Sequence, residues 1–236
     1  MEPNSYFTIK NPEYKDGPTV EQLEKEGYNF DIRYFFNKSF EIFKQHSGML
    51  VGYTLLAAIT LVASAFSVGM IPVAGIFLNS TIQLCILSGF FVVGKKIIYG
   101  ESYEFNDFFK GFQFFIPFLL GRSVGLALIF LGLLILIIPG IYLGIAYTWM
   151  PLLIMFGGKE FWPALEDSRR IITKRWFTIF GFMLVIFLLN LAGALLLGIG
   201  LLITVPVSQL AILIAYDEVI GINNQNIQEK KTLPEV

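Results

Sequence analysis

Histidine and cysteine are almost missing from this chain, which has one of each, His46 and Cys85, among 236 residues. A lone cysteine in an apolar stretch excludes a disulfide framework and a thiolate zinc site. No His and Cys pair, no paired carboxylates within an apolar stretch and no cluster at metal-ligand spacing can be picked out. There is also no phosphate-cradling glycine loop followed by a lysine. These absences lead us to expect a protein that is not an enzyme and has neither cofactor nor metal. Charge is scarce as well, at 15% of residues, and the net charge of −1 gives no basis for a nucleic-acid partner. The opening residues, MEPNSYFTIKNPEYKD, have no basic start and no apolar run before a small-residue cleavage site. We therefore expect no signal peptide to be removed and the first span to act as an uncleaved anchor.

What the chain has in excess is apolar surface: 55% hydrophobic residues and a mean hydropathy of +0.67. A soluble domain has nowhere to bury that surplus, so lipid must be the solvent for much of the chain. Ser47 to Gly94, Ser123 to Gly158 and Phe177 to Tyr216 contain no charged residue. Each stretch is long enough to cross a hydrocarbon core about 30 Å thick twice, at about 1.5 Å per helical residue. The predicted fold is all-α, with six transmembrane helices in three hairpins at about 49–70, 74–93, 116–137, 141–157, 177–197 and 200–216. A flexible N-terminal tail over 1–30, a membrane domain over 31–220 and a C-terminal tail over 221–236 complete the expected organisation.

Lysine and arginine accumulate on the cytoplasmic side of membrane proteins. Here all of them except Arg122 lie before Ser47, in segments 94–115 and 158–176, or in the C-terminal tail. Both termini are therefore expected in the cytoplasm, with short uncharged loops near Pro72, Pro139 and Gly198 to Gly200 on the other side. Thr19 and Gln22 form a capping-box pattern opening a helix expected to run on through Tyr34, Phe35, Phe36, Phe40 and Phe43. Such a helix would lie on the membrane surface with Arg33, Lys38 and Lys44 toward headgroups. Pro72, Pro139 and Pro206 are evenly spaced, and each hairpin follows an aromatic and basic segment. This pattern suggests a threefold internal repeat of interfacial helix and hairpin.

Within residues 139–216, a span opening with Pro139 and Tyr142 is followed by Ala164, Leu165 and Ser168, then Thr173, Lys174, Trp176 and Phe177. This third of the chain resembles the membrane domain fused to some glycerophosphoryl diester phosphodiesterases and present in many stand-alone bacterial membrane proteins. It departs from the usual pattern at Glu166 and Asp167. The resemblance implies a multi-pass protein of the bacterial inner membrane and transfers no catalytic role, because the phosphodiesterase domain and its histidines are missing here.

Arg122 is the one charged side chain well inside an apolar segment, where an unpaired charge costs at least about 2.5 kcal/mol. It could bind a lipid phosphate or an anionic substrate, or snorkel to the interface. Asn79, Gln83, Asn190 and Gln209 could line a polar path or join helices by hydrogen bonds. Pro163, Glu166 and Asp167 precede Arg169, Arg170, Lys174 and Arg175 in the order that a helix dipole favours, giving a charged interfacial helix that could dock anionic lipid or a cytoplasmic protein. The spacing of glycines over Gly193 to Gly200 points to tight helix packing. The first reading is thus a structural or accessory membrane protein, binding membrane lipids or another protein at its cytoplasmic interfacial helices. The alternative is a small transporter or channel with a path between the hairpins, which convergence of the buried polar residues in one cavity would favour.

Overall fold

The computed structural model describes residues 17–68, 72–224 and 227, with the side chains of 64–68 and 72–74 left aside. Among the described residues the chain is helical and contains no strand. Six stretches are long and apolar enough to cross a membrane: Ile32–Ala63, Gly75–Ile98, Phe105–Ile135, Ile137–Met155, Trp176–Leu195 and Leu201–Val219. The protein is a polytopic, all-α membrane protein.

The first helix, α1 (Val20–Glu26), opens with the expected capping box between Thr19 and Gln22. It does not run on. Gly27 takes φ +77°, a left-handed conformation that glycine adopts without cost, and stops the helix. Residues 17–30 also differ from the flexible tail expected of them. Leu23 is buried, the Tyr28 hydroxyl donates to the Ile171 carbonyl, and Phe30 packs edge-on against Phe35 and Phe182. Apolar side chains spaced along a polar-looking segment pin it to the membrane domain. The expected tail over 1–16 lies outside the described residues, as does most of 225–236.

Helix α2 (Ile32–Val68) starts where Asp31 accepts the Tyr34 N–H and changes direction at His46, whose φ of −119° and ψ of 21° are not helical. The kink divides a charged, aromatic first half from the first span. It is followed by α3 (Pro72–Ile98) and by a 3-10 helix over Phe105–Phe114. That segment sits hard against α3, since a Cβ added to Gly89 would overlap the Phe108 carbonyl oxygen. The buried Tyr53 ring stacks on Phe108, and its hydroxyl donates to the Ile86 carbonyl. Next come α4 (Phe115–Ile135), α5 (Ile137–Ala146), α6 (Met150–Met155), the charged α7 (Phe161–Lys174), α8 (Trp176–Leu195) and α9 (Leu201–Val219). Together α5 and α6 make the fourth span, broken at Tyr147 to Trp149.

In each hairpin the second crossing is more buried than the first. The glycines work as expected at the third hairpin tip, where Gly193 and Gly200 approach so closely that a Cβ on Gly200 would lie 2.6 Å from the Gly193 Cα. The prolines are not equivalent: Pro72 opens α3, Pro139 falls in the first turn of α5, and Pro206 lies inside α9. Even spacing in sequence therefore corresponds to three different helical positions, and the threefold repeat gains no support from it.

Candidate functional site

Around the ring α3, α4, α5, α8 and α9, each helix packs on the next, while any contact of α5 with α3 or α9 across the middle is sparse. The gap is a cavity of about 290 Å³ lined by residues of all five helices, by Met150 and Pro151 of α6 and by Leu165 of α7. At about 1.5 Å per residue, its lining begins roughly 10 Å from the charged ends of α4 and α8 and continues toward the middle of the bundle. Its walls are mainly apolar, with Leu84, Leu87, Phe91, Leu126, Ile129 and Ile212 among them. Gly144 leaves open space where a side chain would stand, since a Cβ built there has nothing within 4 Å.

Three of the residues expected to be functional meet in this cavity: Gln83 from α3, Arg122 from α4 and Gln209 from α9. Arg122 has no acidic partner and no hydrogen bond among the described residues, and neither does the Gln209 amide. The Gln83 amide donates to Asn79 at 3.2 Å, which leaves one of its own N–H donors and its carbonyl for the cavity. Asn190 stands apart. Its amide donates to the Ser208 hydroxyl at 2.9 Å and to the Ile186 carbonyl, so it joins α8 to α9. The result is a cation and two amides facing a mainly apolar chamber that Ser80, Tyr147 and Thr148 also line, a set that can hold an anionic group by one charge-assisted contact and several neutral ones.

The basic residues of α7 are otherwise engaged. Arg169 pairs with Glu166, Arg170 with Glu24 of α1, and Lys174 donates to the Lys25 carbonyl at 2.8 Å. Arg175 is exposed. The hydrogen-bonded Arg170 guanidinium holds the exposed Glu24 carboxyl below its ordinary range, and Arg169 does the same to Glu166. Burial pushes the Tyr28 phenol up. This helix thus clasps the N-terminal segment instead of presenting a free basic face.

Sequence reasoning missed the break in the fourth span, which brings Tyr147 and Thr148 to the cavity wall. Its one signal is Pro151, which suits the first turn of α6 and disfavours helix just before it. Ser168 of α7 supplies the partners that the break leaves open: its hydroxyl accepts the Trp149 N–H at 3.2 Å and donates to the Ala146 carbonyl at 2.6 Å. Some of the residues that carry the family resemblance gather near the same joint, whereas Phe177 is exposed and Lys174 turns to the Lys25 carbonyl. The Tyr142 and Thr173 hydroxyls are hydrogen-bonded, the Trp176 indole donates to the Tyr142 carbonyl, and Ala164 and Leu165 are on the buried face of α7. No protein-family model, curated protein or solved structure matches the chain.

Proposed function

We propose that this protein binds the anionic head of an amphiphile, a lipid phosphate or carboxylate, in the cavity at Arg122, as an accessory component of a bacterial inner membrane with both termini in the cytoplasm. One observation carries the reading: the Arg122 guanidinium, which has no partner among the described residues, lines a mainly apolar cavity between the helices and is exposed there, and an uncompensated charge within an apolar span costs at least about 2.5 kcal/mol. An anionic ligand offsets that cost, and the Gln209 amide and the second N–H of Gln83 add neutral hydrogen bonds. No catalytic role accompanies this reading. The lipid or protein docking expected at α7 loses ground, because intramolecular partners take most of its cations, and the docking role moves to the cavity.

A second reading, transport of such an amphiphile, is favoured by the broken fourth span, since discontinuous helices often frame transporter binding sites. The test is native mass spectrometry of the protein reconstituted with phosphatidylglycerol, with a fatty acid and with neither. Retention of one anionic amphiphile, lost in both Arg122→Gln and Gly144→Leu, is the expected result. Equal retention by Arg122→Gln and the unaltered protein would overturn the proposal. Retention that depends on Arg122, joined to flux across vesicles, would favour transport.

A further inference from the structure

A second opening lies on the far side of α9 from the cavity. Val207 of α9 faces it, whereas Gln209 and Ile212 face the Arg122 chamber, so the helix separates the two. It is a groove of about 680 Å³ with a charged rim and an apolar wall. The rim is one face of the first half of α2, where Arg33, Asn37, Glu41 and Lys44 recur at intervals of three and four residues, with Asp31 at the end. The opposite wall is Leu189 and Val207, which lie roughly 20 Å along α8 and α9 from their charged ends, at about 1.5 Å per residue. The groove therefore leads from charge at the membrane surface into the hydrocarbon.

The rim charges are balanced and largely uncommitted. Arg33 and Glu41 make no ion pair among the described residues, although Glu41 and Lys44 stand one helical turn apart. Asp31 caps the Tyr34 N–H at 3.1 Å, and the Lys44 ammonium lies 4.8 Å from the centre of the Phe40 ring. Lys38, by contrast, is satisfied by the Tyr34 hydroxyl and by Glu218. Besides the paired Lys38, two cations and two carboxylates thus face one groove. A purely anionic headgroup would meet the carboxylates as like charges, and a quaternary ammonium has no N–H to give them. A primary ammonium beside a phosphate complements both signs, and an acyl chain suits the wall.

We propose that this groove binds an aminophospholipid of the leaflet on the charged side of the protein. The phosphate meets Arg33 and Lys44, the ammonium meets Asp31 and Glu41, and one chain follows Leu189 and Val207. The inference does not depend on the Arg122 site.

The experiment uses the full chain in nanodiscs holding equal phosphatidylethanolamine, phosphatidylcholine and phosphatidylglycerol with matched chains, with retained lipids counted by native mass spectrometry. Phosphatidylethanolamine should be retained over phosphatidylcholine by about fivefold, the scale of one or two exposed charge contacts. The double variant Asp31→Asn, Glu41→Gln should lose that preference, and asparagine preserves the cap on α2. Arg33→Gln with Lys44→Gln should lower phosphatidylethanolamine retention. Leu189→Trp should lower it too by filling the groove with no charge altered, which keeps the test open if a charge variant fails to fold. Arg122→Gln should leave it unchanged, so failure here is distinct from failure at the cavity. Preference for phosphatidylglycerol, or a preference for phosphatidylethanolamine that survives the acidic substitutions, would overturn the proposal.

Discussion

Ser168 shows how much one small side chain can hold. Its hydroxyl partners the two main-chain groups that a broken span leaves facing a low-dielectric interior, and each buried group without a partner costs about 1–3 kcal/mol. Ser168→Ala should therefore lower stability by a few kcal/mol on that scale, read as a lower thermal midpoint in detergent, and loosen Tyr147 and Thr148 at the cavity. An unchanged midpoint would mean that water takes over the role. Glu24 makes a pH prediction. Its carboxyl is held below its ordinary range by Arg170, so the contact is fully present above the ordinary Glu pKa of about 4.3 and is lost as pH falls through the depressed value. Hydrogen exchange in 20–26 should accelerate on that acidic side. In Glu24→Gln the exchange should be fast throughout and lack that step. Arg122 was legible as the one charge out of place in the sequence. Its lack of a partner was not, because that depends on which helices stand around it.

At the level of elements, the six spans were legible because length and hydropathy alone decide whether a helix can cross a bilayer. The 3-10 helix was not. Aromatic residues at 105, 108, 109, 112 and 114 suggested an ordinary amphipathic segment, whereas its close fit on α3 depends on two glycines far apart in sequence. A Cβ on Gly111 would overlap the Ser88 hydroxyl, and one on Gly89 the Phe108 carbonyl. Because that carbonyl belongs to the backbone and cannot swing aside, Gly89→Ala should separate the two elements at a cost of about 1–3 kcal/mol, the usual range for overpacking. A lower thermal midpoint and faster exchange over 105–114 would report it, and a midpoint equal to that of the unaltered protein would show that the 3-10 segment can shift freely. The N-terminal segment was misread for a similar reason. Composition describes 17–30 as polar, but Leu23, Tyr28 and Phe30 find apolar partners that only the folded bundle supplies.

For the whole molecule, the placement of lysine and arginine implies an orientation, and a labelling experiment checks it. A cysteine at Ile199 should react with a membrane-impermeant reagent added to intact cells, whereas one at Lys96 should react only after the membrane is opened, since native Cys85 is buried. The reverse pattern would invert the topology. The tips of the second and third hairpins carry a consequence of their own. Ile135 to Ile138 and Leu195 to Leu197 are exposed there, with Leu197 92% exposed, and no charged side chain stands among them. Trypsin finds no lysine or arginine to cut at either tip, and an antibody finds no charge to grip. These two tips thus offer almost no polar handle, and a soluble partner that recognises the protein by charge finds its handles on the charged helices at the other end.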